Sequence, residues 1–236
     1  MKLLIDGDIF VFRCAAAAEN EDVGIAKYYI DQLLDNVVEA LKATEFQFFL
    51  TGENNFRYQV YPEYKANRIG QPVPRHKQAL KEYLINKYNA TVSEGCEADD
   101  LIGIAQCSET ARNRTCIVSL DKDLLMIPGE HYSWEISGGT GEKRWTKGAV
   151  HQDIDPTQAL RWFYTQLLIG DTTDNIKGCP GIGPVKAAKI LNGLETEEEL
   201  FEAVRNAYSF DEALLMNGQC LWIWRKENDI WKLPYS

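Results

Sequence analysis

Short apolar runs alternate with helical patterns over the first 135 residues of the chain. Leu3–Ile5, Phe46–Leu50, Thr91–Val92 and Thr115–Leu120 have the length and composition of buried strands. Helices are predicted between them over residues 9–18, 25–41, 76–88 and 99–106, with Asp8 and Asp99 as candidate caps of the first and the last. This alternation predicts an α/β fold with helices on both faces of a mostly parallel sheet.

The second half of the chain follows a different pattern. Gly138-Gly139-Thr140-Gly141 is a strong hairpin-turn signal. From Pro156 onward the pattern is helical throughout. The tryptophan-rich segment L-W-I-W-R-K-E-N-D-I-W at 221–231 is predicted to be a helix that packs one face in the core, with stacking on nucleic acid as the alternative.

The composition excludes several classes of protein. The 236 residues are 45% hydrophobic and 25% charged, values typical of globular proteins, which argues against disorder, collagen and coiled coil. No apolar run approaches the ~20 residues that span a bilayer, and the first residues lack the apolar stretch of a signal peptide. Six scattered cysteines without a C-x-x-C pair support neither a zinc motif nor a disulfide framework. We therefore expect a soluble, cytoplasmic protein with free thiols.

Charge is distributed unevenly along the chain. The net charge of −10 argues at first sight against a nucleic-acid partner. However, the acids recur in four groups: D-G-D at 6–8, E-A-D-D at 97–100, D-K-D at 121–123 and D-T-T-D at 171–174. The nine carboxylates of these groups nearly account for the excess of acids. Residues 64–88, here called the basic strip, hold six Lys and Arg residues against one Glu.

Three of the acidic groups follow predicted strands, at the edge where open α/β sheets bind ligands. Taken singly, each group has a plain structural explanation as a helix cap, a turn or solvated surface. Together they indicate a cation site, because clustered carboxylates require compensating positive charge. Histidine is absent from their neighbourhood in the sequence, so the ligands are oxygens, which favours Mg²⁺ or Mn²⁺. Two such ions can catalyse phosphodiester hydrolysis.

A glycine-rich hairpin, G-C-P-G-I-G-P, precedes the helical string V-K-A-A-K-I-L at 185–191. Two helices joined by such a hairpin present backbone N–H groups that suit a nucleic-acid phosphate and carry no base information. A simple turn between two helices is the alternative. The candidate DNA-binding residues of this segment are Gly178, Gly181, Gly183, Lys186 and Lys189.

Five strings resemble those of the 5′ nucleases, a family that includes flap endonucleases, the 5′-nuclease domain of bacterial DNA polymerase I and phage 5′→3′ exonucleases. They are DGDIFVFR at 6–13, FRYQVYPEYKANR at 56–68, EADD at 97–100, VSLDKDLL at 118–125 and GDTTDNIKGCPGIGPVKAAKIL at 170–191. The compact length, Asp8 and the Y-P-x-Y-K-A-N-R string are most similar to the exonucleases of small tailed phages, which act in the host cytoplasm. The final ~45 residues match no part of the family pattern.

The resemblance implies a domain organisation. A PIN-like catalytic domain is expected over residues 1–150, with an arch at about 64–89 through which a 5′ single strand threads. A helical H3TH DNA-binding region with C-terminal helices is expected over residues 151–236.

The resemblance also implies roles for individual residues. Lys65 and Arg68 match the basic residues that reach the scissile phosphate. Tyr64 is a candidate for stacking on a base and Arg13 for a phosphate contact, with ordinary packing and a surface salt bridge as their alternatives. Two Mg²⁺ or Mn²⁺ ions are implied, with K⁺ at the hairpin as a further candidate ion. The metal-site acids that match are Asp6, Glu97, Asp99, Asp100, Asp121, Asp123, Asp171 and Asp174.

One family feature is missing from this sequence. The family usually places an aspartate just after the second strand, where this chain reads L-T-G-E-N-N at 50–55. Either Glu53 supplies the carboxylate or the first ion has one ligand fewer. Asp8 is a further candidate ligand.

Three functions are compatible with these features. The first is a metal-dependent 5′ nuclease that hydrolyses DNA from 5′ ends or at 5′-flap junctions. The second is an enzyme on the same core that removes RNA primers from RNA–DNA hybrids. The third is a catalytically silent, structure-specific DNA-binding protein, against which the full set of acids argues. All three predict a DNA partner and no membrane partner.

Overall fold

The computed structural model describes residues 1–108, 115–139 and 143–234. Its strands are β1 Lys2–Asp6, β2 Glu45–Glu53, β3 Thr91–Glu94, β4 Thr115–Val118, β5 Gly129–Ser133, β6 Ile136–Gly138, β7 Trp145–Lys147, β8 Val150–Ile154, β9 Gly170–Asp171 and β10 Ile176–Lys177. Six of them form one sheet in the order β3-β2-β1-β4-β5-β8. All are parallel except β8, which pairs antiparallel with β5 at the edge. The strand order reverses between β1 and β4, so a ligand crevice is expected at their carboxyl ends.

Helices cover both faces of this sheet. The helices of the described residues are α1 Gly7–Ala17, α2 Val23–Leu41, α3 Arg57–Val60, α4 Lys77–Tyr88, α5 Ala98–Cys107, α6 Pro156–Ile169, α7 Pro184–Ile190, α8 Glu197–Arg205 and α9 Asp211–Leu221. Short 3-10 turns lie at Ala66–Arg68 and Asp123–Met126.

The two faces of β1 lead into two hydrophobic cores, because side chains of a strand alternate between its faces. Leu3 and Ile5 pack with buried residues of α1, α2 and α4. Leu4 lies in the other core, with α5 and the helices that follow β8. The last residue of β1, Asp6, lies on the same face as Leu4. The carboxylate at the end of the strand therefore faces the side on which the helical half of the chain packs.

The alternating α/β pattern and the parallel sheet predicted from the sequence are confirmed. Two strands of the sheet, β5 and β8, were not predicted. Their sequences, G-E-H-Y-S and V-H-Q-D-I, are largely polar, because they form the edge of the sheet and are only partly covered. β8 extends to Ile154, four residues past the expected domain boundary at 150.

The helical half requires two corrections. The prediction of helix throughout is wrong, because β9 and β10 form a small antiparallel ladder. The predicted tryptophan helix is also wrong, because α9 ends at Leu221 and the following residues are irregular. The predicted packing is nevertheless confirmed, since Trp224 and Trp231 are buried.

The basic strip contains only a short exposed segment. Leu80 and Leu84 of α4 are fully buried in the core beside α1 and α2, so residues 77–88 form part of the body of the fold. The arch expected over 64–89 stays a prediction. In the part of it that precedes α4, Ile69 and Val73 are prominently exposed.

The predicted hairpin at 138–141 lies partly outside the described residues. On either side of it, β6 and β7 pair antiparallel. Within the described parts of the chain, no helix combines the length and apolar character needed to cross a membrane.

Candidate active site

The acidic groups converge at the carboxyl ends of β1 and β4. Asp6 is both the last residue of β1 and the N-cap of α1, where its Oδ1 accepts a hydrogen bond from the N–H of Ile9 at 3.1 Å. Its Oδ2 accepts a hydrogen bond from the hydroxyl of Ser119, directly after β4, at 2.7 Å. The turn requires glycine at position 7, because a Cβ there would lie 2.6 Å from the carbonyl oxygen of Phe49. Asp8, which was predicted to be the cap, lies in the first turn of α1 instead.

A second set of acids lies between the loop after β4 and the β9–β10 ladder. Asp121 Oδ1 accepts a hydrogen bond from the N–H of Asp123 at 2.9 Å. The Lys122 ammonium bridges Asp123 and Asp171 at 2.8 and 2.9 Å. Asp171 in turn accepts a hydrogen bond from the N–H of Thr173 at 2.6 Å. The helical half of the chain therefore contributes carboxylates directly to the site.

Glu97 and Asp174 form a third set with residues of the basic strip. The Tyr64 hydroxyl lies 2.7 Å from Asp174 Oδ2 and 3.0 Å from Glu97 Oε2, so it joins the two carboxylates. The Lys65 ammonium pairs with Glu97 and lies 3.6 Å from Asp174. Arg68 pairs with Asp174 at 2.5 Å. Lys65 and Arg68 therefore lie against the carboxylates of Glu97 and Asp174.

Two of the candidate site residues are enclosed by other groups of the protein. Tyr64 is 2% exposed and its ring is enclosed, so stacking on a base is corrected to packing and hydrogen bonding within the site. Asp100 is 0% exposed and forms a two-point ion pair with Arg57, at 2.6 and 2.9 Å. It also accepts hydrogen bonds from the N–H groups of Glu97 and Trp224.

These contacts give Asp100 a structural role. Both of its oxygens are already engaged by four protein donors, which leaves them poorly placed for a cation. The helix it supports, α5, begins with Glu97 as N-cap and Asp100 as the partner in a capping box. Asp99, the predicted cap, lies one residue inside the helix.

Several carboxylates of the cluster have raised pKa values. Burial, with the charges of Asp8 and Asp121, raises the pKa of Asp6 to about 7. Burial and Asp121 raise the pKa of Asp123 to about 7. The pKa of Asp99 is raised well above its usual range by burial and by Asp6 and Asp121. Burial is the main cause of each of these raised pKa values, and neighbouring carboxylates add to it.

The third set is compensated by protein cations. Burial opposes the charged form of Glu97, but Lys65 and Arg57 outweigh it and lower the pKa of Glu97. Similarly, burial of Asp171 is outweighed by Lys122, and the pKa of Asp171 is lowered. Protein cations therefore pair with Glu97, Asp171 and Asp123, whereas Asp6, Asp99 and Asp121 form no ion pair with the residues that the structure describes. Divalent cations would supply positive charge there.

The end of β2, where the family aspartate is missing, is occupied by Asp8. Its Oδ2 accepts a hydrogen bond from the N–H of Thr51 at 2.8 Å, and its Oδ1 pairs with Lys81 at 2.8 Å. Glu53 lies at the exposed end of β2, in register with Glu94 of β3. The structure therefore brings Asp8, and not Glu53, to the first set of acids.

The glycine hairpin continues directly from the acid-bearing ladder. A Cβ on Gly178 would lie 2.3 Å from the backbone carbon of Ile169, so this position permits the close approach of α6 to the hairpin. Gly181 and Gly183 face open space, with Gly181 in the left-handed region at φ +71°. Gly183, Lys186 and Lys189 line one open concave surface. Arg13 is exposed on α1, apart from this surface.

Sequence reasoning gave no role to four residues that organise the site. They are Arg57, Lys81, Ser119 and Lys122. The F-R and D-K-D strings contain two of them, and a basic residue between two aspartates was a usable signal for Lys122. The contacts of Arg57 could not be predicted from spacing in the sequence. Apart from Asp100, its partners are the backbone carbonyls of Cys220 and Trp222.

Residues 1–155 match the family model described as 5′-3′ exonuclease, N-terminal resolvase-like domain. The match covers well over half of the chain. The chain belongs to this family. The resemblance seen in the sequence strings is thereby confirmed.

Relatives of this exonuclease-family chain include proteins of very different length. DNA polymerase I of Bacillus caldotenax is 29% identical over 219 residues, which cover 86% of this chain and 24% of the polymerase. The chain therefore spans about a quarter of the length of that relative. Flap endonuclease Xni of Shewanella sp. (strain W3-18-1) is 28% identical over 225 residues, which cover 92% of this chain and 84% of the relative.

A solved structure has the same fold as this family member. It is the bacteriophage T5 D15 flap endonuclease, in a pseudo-enzyme–product complex with DNA and metal ions. The TM-score is 0.65 at 17% sequence identity, and the alignment covers 93% of this chain and 89% of the other. The likeness confirms the predicted fold class.

Proposed function

We propose that this protein is a metal-dependent 5′ nuclease that hydrolyses phosphodiester bonds of DNA from 5′ ends or at 5′-flap junctions. The observation that carries the proposal is the cluster of carboxylates at the reversal point of the sheet, in which burial and neighbouring carboxylates raise the pKa values of Asp6, Asp99 and Asp123. Membership of the 5′-3′ exonuclease family and the flap endonuclease relative support the same reaction class.

The donor set fits two hard divalent cations, Mg²⁺ or Mn²⁺, because every donor is an oxygen. Bound there, the ions would generate hydroxide from water and stabilise the leaving oxygen of the phosphodiester. Asp6, Asp99 and Asp121 influence one another's charge and form the core of one group of ligands. The second group consists of Asp123, Asp171 and Asp174, and Glu97 completes the set.

Asp8 is proposed as the carboxylate that replaces the missing aspartate after the second strand. It lies against the N–H of Thr51 at the end of β2 and raises the pKa of Asp6 by its charge. Glu53 is exposed at the far end of that strand. Asp100 is proposed to position α5 through Arg57 and to bind no ion, because its oxygens are fully engaged.

Lys65 and Arg68 are proposed to act on the scissile phosphate. Both cations now neutralise Glu97 and Asp174 at the mouth of the cluster. A phosphate that enters beside those carboxylates meets an ammonium and a planar guanidinium, which can stabilise charge that grows on its oxygens in the transition state. Arg68 is the more exposed of the two and the better placed to contact incoming DNA.

The hairpin surface is proposed to bind the backbone of the duplex. Gly181 and Gly183 leave the backbone N–H groups accessible, and Lys186 and Lys189 are exposed beside them. K⁺ at the hairpin remains a proposal that follows from the family resemblance alone. Arg13, exposed on α1, is a proposed phosphate contact outside this surface.

Three matched substrates carrying one 5′ label test the proposal: a blunt DNA duplex, a DNA duplex with a 5′ flap, and a hybrid in which the 5′-labelled strand is RNA. We expect Mg²⁺-dependent release of short labelled products from the DNA substrates, and none in EDTA. Preferential cutting of the RNA strand would show that the enzyme removes RNA primers instead. Binding of all three substrates without cleavage in Mg²⁺ or Mn²⁺ would overturn the enzyme assignment.

A further inference from the structure

We propose a second metal site, for Zn²⁺ or a similar soft divalent cation, formed by Cys116, Glu130 and His151 at the β4–β5–β8 edge of the sheet. One donor atom from each residue lies within 4.8 Å of the other two: the Cys116 sulfur, a Glu130 carboxylate oxygen and a His151 ring nitrogen. The site is separate from the proposed nuclease centre and does not depend on it.

Strand register explains why these three side chains meet. Cys116 of β4 is the direct partner of Glu130 in β5, so both side chains point to the same face. Glu130 pairs with Asp153 of β8, and His151 lies two residues from Asp153 and therefore on that same face. Leu3 is the partner of Cys116 in β1 and packs in the core of α1, α2 and α4. The acid cluster lies on the opposite side, at the end of the Leu4 face.

The three donors form a half-buried pocket. Cys116 is 0% exposed, whereas the side chains of His151 and Glu130 are 48% and 40% exposed. His151 Nε2 lies 3.0 Å from Glu130 Oε2, and the His151 ring contacts the ring of Tyr132 edge-on, with centroids 6.2 Å apart. A cation can therefore enter from solvent between the imidazole and the carboxylate and reach the sulfur beneath them.

The mixed donor set decides the type of metal. A thiolate and an imidazole select Zn²⁺ and related ions over Mg²⁺, and water would complete a tetrahedral site. Without metal, burial and the charge of Glu130 raise the pKa of the Cys116 thiol to about 12. Metal binding would release the thiol proton to solvent. Motif spacing does not indicate this site, because its ligands come from three different strands.

The expected role is structural. β8 is the exposed antiparallel edge of the sheet, and within the described parts of the chain β5 is the one strand of this sheet that it pairs with. A cation shared by β4, β5 and β8 would cross-link the edge strand to the buried centre of the sheet. Binding to the folded state alone raises stability by mass action.

Co²⁺ provides a test that the acid cluster cannot imitate, because sulfur-to-Co²⁺ charge transfer in the near ultraviolet requires a thiolate ligand. The protein is titrated with Co²⁺ in saturating Mg²⁺, which occupies oxygen-only sites. We expect one equivalent to produce the band and one equivalent of Zn²⁺ to abolish it. Absence of the band at stoichiometric Co²⁺ in the folded protein would overturn the proposal.

Variants assign the band to its ligands. Cys116→Ser should abolish it, and Cys14→Ser, which alters another buried thiol of the same core, should leave it unchanged. His151→Gln, at a more exposed position, should weaken Co²⁺ binding at least about 10-fold even if Cys116→Ser fails to fold. A band that survives both Cys116→Ser and His151→Gln, or that Cys14→Ser removes, would place the metal elsewhere and sink the assignment.

Discussion

Lys65 has φ +55°, in the left-handed region that residues other than glycine rarely adopt. Its N–H donates to the carbonyl oxygen of Asp174 at 2.9 Å, and this backbone contact fixes the turn. The turn places the ammonium between Glu97 and Asp174. A conformation that costs about 1–3 kcal/mol and is held in place at the mouth of a charged site is typical of functional residues.

Removal of either cation should therefore impair chemistry more than binding. We expect Lys65→Ala and Arg68→Ala to lower the single-turnover cleavage rate at least about 10-fold, because each loses a group that stabilises transition-state charge. Affinity for DNA in Ca²⁺ should fall much less. Single-turnover rates at saturating enzyme give the first quantity, and fluorescence anisotropy gives the second.

The control for this comparison is Arg75→Ala, which removes an exposed positive charge of the same basic strip. It should change affinity modestly, in a manner screened by salt, and leave the cleavage rate of bound DNA intact. Unchanged cleavage rates for both Lys65→Ala and Arg68→Ala would show that these residues provide only diffuse attraction.

The raised pKa values of Asp6 and Asp123 predict how the metal-free protein responds to pH. A carboxyl whose pKa is about 7 when folded and near 3.8 when unfolded binds more protons in the folded state. Its contribution to stability is fully present below the unfolded pKa and is lost as the pH rises through 7. In EDTA, the free energy of unfolding should therefore fall between about pH 4 and pH 8.

Denaturant unfolding of Asp6→Asn and Asp123→Asn checks this sign. Asparagine resembles the protonated carboxyl, so each variant should gain stability relative to wild type as the pH rises, by on the order of 2 kcal/mol at pH 8. The exposed control Asp35→Asn should show no such gain. Identical pH profiles for wild type and both variants would contradict the electrostatic account of the cluster.

At the scale of elements, the buried pair of Arg57 and Asp100 joins three parts of the chain. Arg57 follows β2, Asp100 lies in the first turn of α5, and the remaining Arg57 donors bind the carbonyls of Cys220 and Trp222. Trp224 stacks on Phe56, with ring centroids 5.1 Å apart. The final segment thus holds in place the helix that begins with Glu97.

This arrangement predicts that Asp100→Ala destabilises the protein by about 3–5 kcal/mol, because it leaves a buried guanidinium without a partner. Asp211→Ala is the matched control, since it breaks the exposed pair with Arg205 and should cost at most about 1 kcal/mol. Chemical denaturation without metal measures both. If Asp100→Ala matched the control in stability and instead weakened Mg²⁺ binding, Asp100 would be a metal ligand.

The hairpin makes a separate prediction. Gly183 faces open space with an ordinary backbone conformation, so Gly183→Val should fold normally. It should nevertheless weaken duplex binding to a similar extent for all sequences, because the added side chain blocks a contact with the backbone of DNA. Gly148→Val, at another open glycine, is the control and should bind normally. An altered sequence preference at unchanged affinity would be incompatible with backbone binding.

Helix and strand content was predictable where hydrophobic periodicity was strong. β1, β2 and β4 are apolar because they are buried on both faces, and α2 has a continuous apolar stripe. β5 and β8 lacked this signal because the edge of the sheet is partly solvated. The packing of α4 was hard to predict because its charged residues masked the two leucines that anchor the helix in the core.

At the scale of the whole molecule, topology assembles a site from residues that are far apart in sequence. The prediction that strand-end acids meet was sound, because parallel strands end at a common edge. Side-chain contacts between residues that are distant in sequence could not be predicted in this way. Tyr64 joins Glu97 to Asp174, and Arg57 contacts residues more than 150 positions away. Net charge was a poor guide to the partner, because the excess of acids is concentrated in a few groups that meet at one edge of the sheet.

The central claim is that this acid cluster holds the ions that cleave DNA, and Asp121→Asn tests it most directly. The charge of Asp121 raises the pKa values of Asp6 and Asp99, and the charges of Asp171 and Asp174 raise that of Asp121, so Asp121 is coupled to both groups of proposed ligands. A 5′-flap substrate is bound to excess enzyme in EDTA, and cleavage is started with Mg²⁺.

We predict that Asp121→Asn lowers the cleavage rate about 100-fold or more while the affinity for DNA in EDTA stays the same or rises, because one negative charge near the phosphate is lost. Cleavage by Asp121→Asn at close to the wild-type rate in saturating Mg²⁺ would contradict the account and remove this cluster from the chemistry.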